Sequence, residues 1–163
     1  MTTIRALLPV LIAVQAVSVP AGSAQEHSPG RRISIGDRSL WLACSGIGQP
    51  TVILEAGHTD SSTTWGQVQP QIAAFTRVCS YDRAGRGRSD RAIGSGRRGH
   101  DVVQDLHALL HTSAERGPYL LVGHSLGGAF VRLYTAAYPG DVAGLVLVDA
   151  VSEREDAAID ELG

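Results

Sequence analysis

A G-x-S-x-G pattern places Gly123, Ser125 and Gly127 where an apolar run predicted to be a strand meets a segment with helical spacing of apolar residues. The strand covers residues 119–122 and the helix residues 126–138. A serine on so tight a strand-to-helix turn adopts a strained backbone, and the residues two before and two after it must be glycine-sized to avoid collision. The pattern predicts that Ser125 is a nucleophile presented by this turn.

The turn also places Ser125 at a helix N-terminus, where free backbone N–H groups favour negative charge. Leu126 N–H is therefore the predicted first donor to the oxyanion that forms when a serine attacks a carbonyl. The alternative interpretation is a glycine-rich turn in which the serine has no chemical role.

A serine hydroxyl needs a general base to remove its proton, and an acid to orient that base. All six histidines of the sequence precede Ser125, so none stands where a base would follow the nucleophile. Asp149, directly after the apolar run 145–148, is a candidate for the acid. Its alternative role is that of a strand-end residue that caps the next turn.

Two further motifs accompany the serine pattern in a fixed order: T-V-I-L-E-A-G-H at 51–58 and Y-D-R-A-G-R-G-R-S-D at 81–90. With 123–128 and 139–149, they make the chain from about residue 38 to 150 resemble the α/β-hydrolase family of serine hydrolases, of the AB hydrolase-1 type. The resemblance implies that His58 supplies a second oxyanion donor through its backbone N–H. It also implies cleavage of ester, amide or related acyl bonds in a small-molecule substrate, without a cofactor.

Alternating strands and helices predict an α/β fold whose mostly parallel sheet has helices on both faces. Ile72, Ala73 and Phe75 are expected to form the apolar face of a short helix, and a two-residue Gly-Asp turn predicts an N-terminal hairpin. The predicted strands are 31–35, 38–44, 51–54, 77–81, 119–122 and 145–148, and the longer helices include 102–110 and 126–138.

The resemblance also implies a cap, two strands and two helices beyond Asp149, so the fold is expected to be an α/β-hydrolase truncated after its sixth strand. Three explanations for the missing elements are open. The chain is a fragment of a longer hydrolase, its reading frame stops early, or a partner supplies the rest. The alternative from another functional class is a non-catalytic secreted remnant. In either case the uncharged run 145–148 is expected to be an open sheet edge through which copies self-associate.

Other kinds of site lack support in the sequence. Gly85 and Gly87 lack a third glycine at Asp90, which argues against a dinucleotide fingerprint, and no G-K-[ST] follows a glycine-rich loop. His107 and His111 lie one helical turn apart and are interpreted as a solvated helix face rather than metal ligands. Six arginines lie in the loop from residue 83 to 99 and are interpreted as solvated rather than as an anion site: Arg83, Arg86, Arg88, Arg91, Arg97 and Arg98.

Composition describes an ordinary globular chain: 163 residues, 44% hydrophobic, net charge −2, with no indication of a nucleic-acid partner. Residues 1–24 are predicted to be a secretory signal peptide, with Arg5, an apolar run and small residues ending at Ala24. A membrane anchor needs about 20 apolar residues, and Pro9 and Gln15 interrupt this run. The expected organisation is a secreted or periplasmic protein with a hydrolase core at 31–151 and an acidic tail, or the start of the cap, at 152–163.

Two cysteines, Cys44 and Cys79, are the only ones in the chain. Export to an oxidising compartment makes them a disulfide candidate. Two buried thiols that act as small apolar residues are the alternative, and the sequence does not decide between them.

Overall fold

The computed structural model describes residues 30–92 and 97–151, in which six strands form one sheet. The strands are β1 (Arg31–Ser34), β2 (Ser39–Ser45), β3 (Thr51–Glu55), β4 (Val78–Asp82), β5 (Tyr119–His124) and β6 (Val142–Val148). The helices are α1 (Gln69–Ala73), α2 (Gly99–Thr112) and α3 (Leu126–Ala137), with short 3-10 turns at Ser62–Trp65 and Pro139–Asp141. The predicted signal peptide and acidic tail lie outside the described residues.

The strand order is β1-β2-β4-β3-β5-β6. The hairpin of β1 and β2 is antiparallel and joins β4 in antiparallel pairing, whereas β4, β3, β5 and β6 run parallel to one another. The predicted mostly parallel α/β sheet is therefore confirmed. Its four parallel strands have their carboxyl ends at one edge, where ligands of open α/β sheets bind.

Alternating side chains of the central strands fill two separate cores, one on each face of the sheet. Ile53 and Leu121 point into the core covered by α2 and α3. Val52 and Leu54 point into the other, which Trp65 and α1 cover. Because both faces of the central strands are buried, their sequences are continuous apolar runs rather than alternating ones.

The short helix differs from its prediction at one residue. Ala73 is buried and Ile72 packs against the core, as expected. Phe75, however, lies beyond the end of α1 and is 86% exposed, so its prediction as part of the apolar face was wrong. The helix is only five residues long, and no second turn carries the apolar stripe as far as residue 75.

The last described strand, β6, pairs with β5 on one side only, and the sheet order ends there. Its residues Leu145, Val146, Leu147 and Val148 are between 36% and 45% exposed. Self-association through this edge stays a prediction. Among the described residues, none of the helices combines the length and apolar character needed to cross a bilayer.

Cys44 and Cys79 lie directly opposite each other on the antiparallel strands β2 and β4, and their Sγ atoms are bonded. A bridge between residues 35 positions apart restricts the unfolded chain. We expect the double substitution Cys44→Ala, Cys79→Ala to lower the free energy of unfolding by about 3–4 kcal/mol. Urea denaturation of the two proteins measures the difference. Titration of two free thiols in denatured, unreduced wild-type protein would contradict the bridge.

Candidate active site

Ser125 lies between β5 and α3 with a backbone conformation that L-residues rarely adopt, φ 51° and ψ −122°. Such a conformation costs of order 1–3 kcal/mol and persists only where neighbours hold it. Ser125 N–H donates to Val148 O (3.1 Å), and Ser125 O accepts from Val151 N–H (3.2 Å) and from Gly128 N–H (2.9 Å). The last strand of the sheet and the first turn of α3 therefore hold the strained serine in place.

The glycines around Ser125 are required because other backbone lies where a side chain would begin. A Cβ on Gly123 would lie 2.5 Å from Gly127 O, and one on Gly127 would lie 2.6 Å from both Glu55 O and Ala56 O. These contacts are much shorter than van der Waals separation. The size restriction inferred from the G-x-S-x-G pattern thus has a definite cause at each position.

The loop after β3 meets this turn because β3 and β5 are parallel neighbours in register, with Glu55 opposite Gly123. Both strands end at the same level and the same edge, so residues 56–58 and Ser125 begin side by side. His58 has an exposed side chain. The approach of Gly127 to Glu55 O and Ala56 O shows how closely the loop and the first turn of α3 pack.

Arg83, buried beneath this loop, binds three successive carbonyl groups of it. The guanidinium donates to Ala56 O (2.6 Å), to Gly57 O and to His58 O (2.8 Å). In a trans peptide the C=O and N–H groups point in opposite directions. Because Gly57 O points toward Arg83, the N–H of His58 in the same peptide points away from Arg83.

A buried ion pair anchors Arg83. Glu55, fully buried at the end of β3, accepts hydrogen bonds from Arg83 and from the hydroxyl of Tyr81. Burial raises the pKa of the Glu55 carboxyl, and the Arg83 charge and both hydrogen bonds oppose that rise. Burial also raises the pKa of Tyr81, so its hydroxyl stays a proton donor. The guanidinium lies 5.3 Å from the centre of the Phe130 ring of α3.

The loop after β4 is closed by Asp82, whose buried carboxylate accepts from Ser62 N–H (2.6 Å) and from Arg88 N–H (2.8 Å). Gly87 has a positive φ of 48°, and a Cβ there would lie 2.1 Å from Asp82 Oδ2. Ser89 closes the turn by donating to Asp82 O. The 81–90 motif is therefore a loop whose fold is fixed by hydrogen bonds to Asp82.

These features agree with a match to a family model described as "Serine aminopeptidase, S33", which covers residues 49–158. The chain belongs to the α/β-hydrolase family. It is 30% identical over 146 residues to 2-(acetamidomethylene)succinate hydrolase of Mesorhizobium japonicum, covering 90% of this chain and 51% of the relative. It is 31% identical over 109 residues to an AB hydrolase superfamily protein of Gibberella zeae, covering 65% of this chain and 34% of that one.

Among solved structures, Cfl2 of Burkholderia cenocepacia is similar, with a TM-score of 0.67 and 29% identity over 74% of this chain and 41% of that one. The chain thus spans about half or less of the length of these relatives.

Asp149 is the residue predicted to be the acid of a triad. Asp149 follows β6 directly, with a positive φ of 44°, beside the Val148 carbonyl that binds Ser125. Within residues 30–92 and 97–151, its carboxylate contacts no histidine. Its role stays a prediction.

His124, next to the nucleophile, turns its ring toward the loop after β3. Its Nδ1 lies 3.9 Å from Asp60 Oδ2, and its ring meets that of Trp65 edge to face with 6.5 Å between centroids. That nitrogen is buried without a hydrogen-bond partner among the described residues. The His124 side chain thus packs between the turn that carries Ser125 and the loop after β3.

Sequence reasoning missed the Glu55, Tyr81 and Arg83 cluster of the hydrolase. Interpreting Arg83 as a solvated loop residue was wrong, since it is 8% exposed and paired with Glu55. Arg97 is paired as well, with Asp105 of α2, and Arg88 stacks over Trp41. A signal was present: Glu55 follows directly on the apolar run of a predicted buried strand, and a carboxylate that is buried there needs a cationic partner.

Proposed function

We propose that this α/β-hydrolase is an exported serine hydrolase that cleaves ester or amide-type acyl bonds through Ser125. The strained serine at the start of α3 carries the proposal, because a backbone that costs stability is retained at sites where it presents a reacting group. The hydrolase activity that the name of the Mesorhizobium relative states supports it.

The proposed reaction begins when Ser125 Oγ adds to the carbonyl carbon of the substrate and its proton passes to a base. Leu126 N–H, at the start of α3, and His58 N–H, in the loop braced by Arg83, stabilise the oxyanion. The tetrahedral intermediate then collapses, the protonated leaving group departs, and Ser125 is left acylated. Water, activated by the same base, releases the acid product and restores the hydroxyl.

Chemical rescue tests this proposal in a chain whose sequence has no histidine after Ser125. Imidazole added to the assay supplies the base from solution. We expect it to accelerate hydrolysis of a short-chain aryl ester by wild-type protein, above the direct reaction of imidazole with the ester. The Ser125→Ala variant is the matched control and shows only that direct reaction.

Equal rates for wild-type and Ser125→Ala protein at every imidazole concentration, with both proteins folded, would refute Ser125 as the nucleophile. They would favour the second candidate function, a non-catalytic secreted protein that retains the first part of the hydrolase fold.

Export is the other part of the proposal, and its expected product is a chain that begins at Gln25. The small residues Gly22 and Ala24 provide the cleavage site that signal peptidases accept. Intact-mass measurement of protein recovered outside the cytoplasm checks this. Recovery of exported protein that still carries residues 1–24 would contradict the cleavage.

A further inference from the structure

His107, His111 and Asp141 come together at the end of the sheet opposite Ser125. His107 and His111 lie one turn apart on α2, and Asp141 ends the 3-10 turn before β6. His107 Nε2 lies 3.6 Å and His111 Nε2 3.9 Å from Asp141 Oδ2, and one ligand atom from each residue falls within 4.8 Å of the others. Three residues from two elements thus converge on one point.

We propose that these three side chains form a binding site for a divalent transition metal, with Zn²⁺ as the ion that best suits them. Two imidazoles and one carboxylate are donors that Zn²⁺ and its neighbours prefer, whereas Mg²⁺ and Ca²⁺ prefer oxygen alone. In a tetrahedral zinc site, ligand atoms about 2.0–2.1 Å from the metal lie roughly 3.3 Å apart. The observed separations of 3.6 and 3.9 Å need only small movements to reach that value.

The surroundings hold two of the three ligands in position. The His107 ring stacks on Tyr138, with centroids 3.8 Å apart and planes 15° from parallel. The Tyr134 hydroxyl donates to Asp141 Oδ2 at 3.3 Å. Partners of this kind orient metal ligands in proteins.

The third ligand is free to adjust. The His111 side chain is 65% exposed and can swing over the site, and the exposure leaves room for water to complete the coordination. His107 at 30% and Asp141 at 33% exposure are also accessible to an ion from solvent.

The position of the site assigns it a structural role. Asp141 precedes β6 and so lies near the amino ends of the parallel strands, while Ser125 follows the carboxyl end of β5. Six residues of β5 separate these edges, roughly 20 Å. A bound ion would tie α2 to the segment that joins α3 to β6, without contact with the nucleophile.

The experiment uses the full chain, produced without a histidine tag and stripped with a chelator. Isothermal titration should show one Zn²⁺ per chain, and Zn²⁺ should raise the melting temperature, since an ion that binds only the folded chain stabilises it. An equal concentration of Mg²⁺ should not raise it. His111→Ala, at an exposed position, and Asp141→Asn should each weaken Zn²⁺ binding at least tenfold.

The matched control is His100→Ala, which removes an exposed histidine of the same helix outside the cluster and should bind Zn²⁺ as the wild type does. Circular dichroism confirms that each variant is folded. If the wild type takes up no Zn²⁺ at 100-fold molar excess, or if His111→Ala and Asp141→Asn bind it as tightly as His100→Ala does, the site is refuted.

Discussion

The unaided chain is expected to hydrolyse a short-chain aryl ester no faster than its Ser125→Ala variant. Loss of the base in a serine triad costs roughly 10⁶-fold in rate, about 8 kcal/mol of transition-state stabilisation. The two oxyanion donors, Leu126 and His58, act on charge that develops only after the serine has lost its proton. They cannot replace the base.

Size-exclusion chromatography of both preparations is the control, because exposed β6 offers a second route to inactivity through aggregation. A monomeric wild-type chain that turns over many substrate molecules without imidazole, and loses this activity on Ser125→Ala substitution, would contradict the expectation. One of the upstream histidines would then serve as the base, and single substitutions of His58, His100 and His124 would identify it.

Replacing Arg83 by Met should lower the free energy of unfolding by about 3–5 kcal/mol. The reason is that Glu55 would remain fully buried without its cationic partner. Urea denaturation measures the change. The matched control is Arg86→Met in the same loop, where a partly exposed arginine should cost less than about 0.5 kcal/mol. Equal costs for the two variants would contradict a stabilising role for the buried pair.

A double variant, Arg83→Met with Glu55→Gln, separates the effect of Arg83 on stability from its effect on the position of the loop 56–58. Without the unpaired carboxylate it should regain much of the lost stability, but it still lacks the donors to Ala56 O, Gly57 O and His58 O. Its imidazole-assisted ester hydrolysis should therefore remain at least tenfold below that of the wild type, in line with the loss of an oriented oxyanion donor. Recovery of both stability and rate would show that the carbonyl contacts do not position the loop.

Most of the fold was predicted from local sequence patterns, namely apolar runs, helical spacing of apolar residues and turn residues. The apolar runs 52–54 and 119–122 predict β3 and β5 because strands buried on both faces carry continuous apolar residues. The glycines at 123 and 127 follow from one tight turn. Phe75 was mispredicted because periodicity cannot show where a one-turn helix ends.

Local pattern suggests that Glu55 needs a cationic partner but cannot identify Arg83, because the two residues lie 28 positions apart and are brought together by the β3–β4 pairing. The cluster of His107, His111 and Asp141 was likewise beyond local pattern, because its members are distant in sequence. It joins a helix to a turn 30 or more residues later, and only the packing of α2 against the end of α3 reveals it.

The bonds that hold Ser125 set an order of events during synthesis. Among residues 30–92 and 97–151, its backbone partners outside α3 are Val148 and Val151, which come 23 and 26 positions later in the chain. At about 5–20 residues per second, the ribosome adds those residues roughly one to five seconds after the serine itself. Until then the turn has only the first bond of its own helix, and the serine can relax to an ordinary conformation. The nucleophile would therefore be among the last parts of this sheet to reach its working geometry.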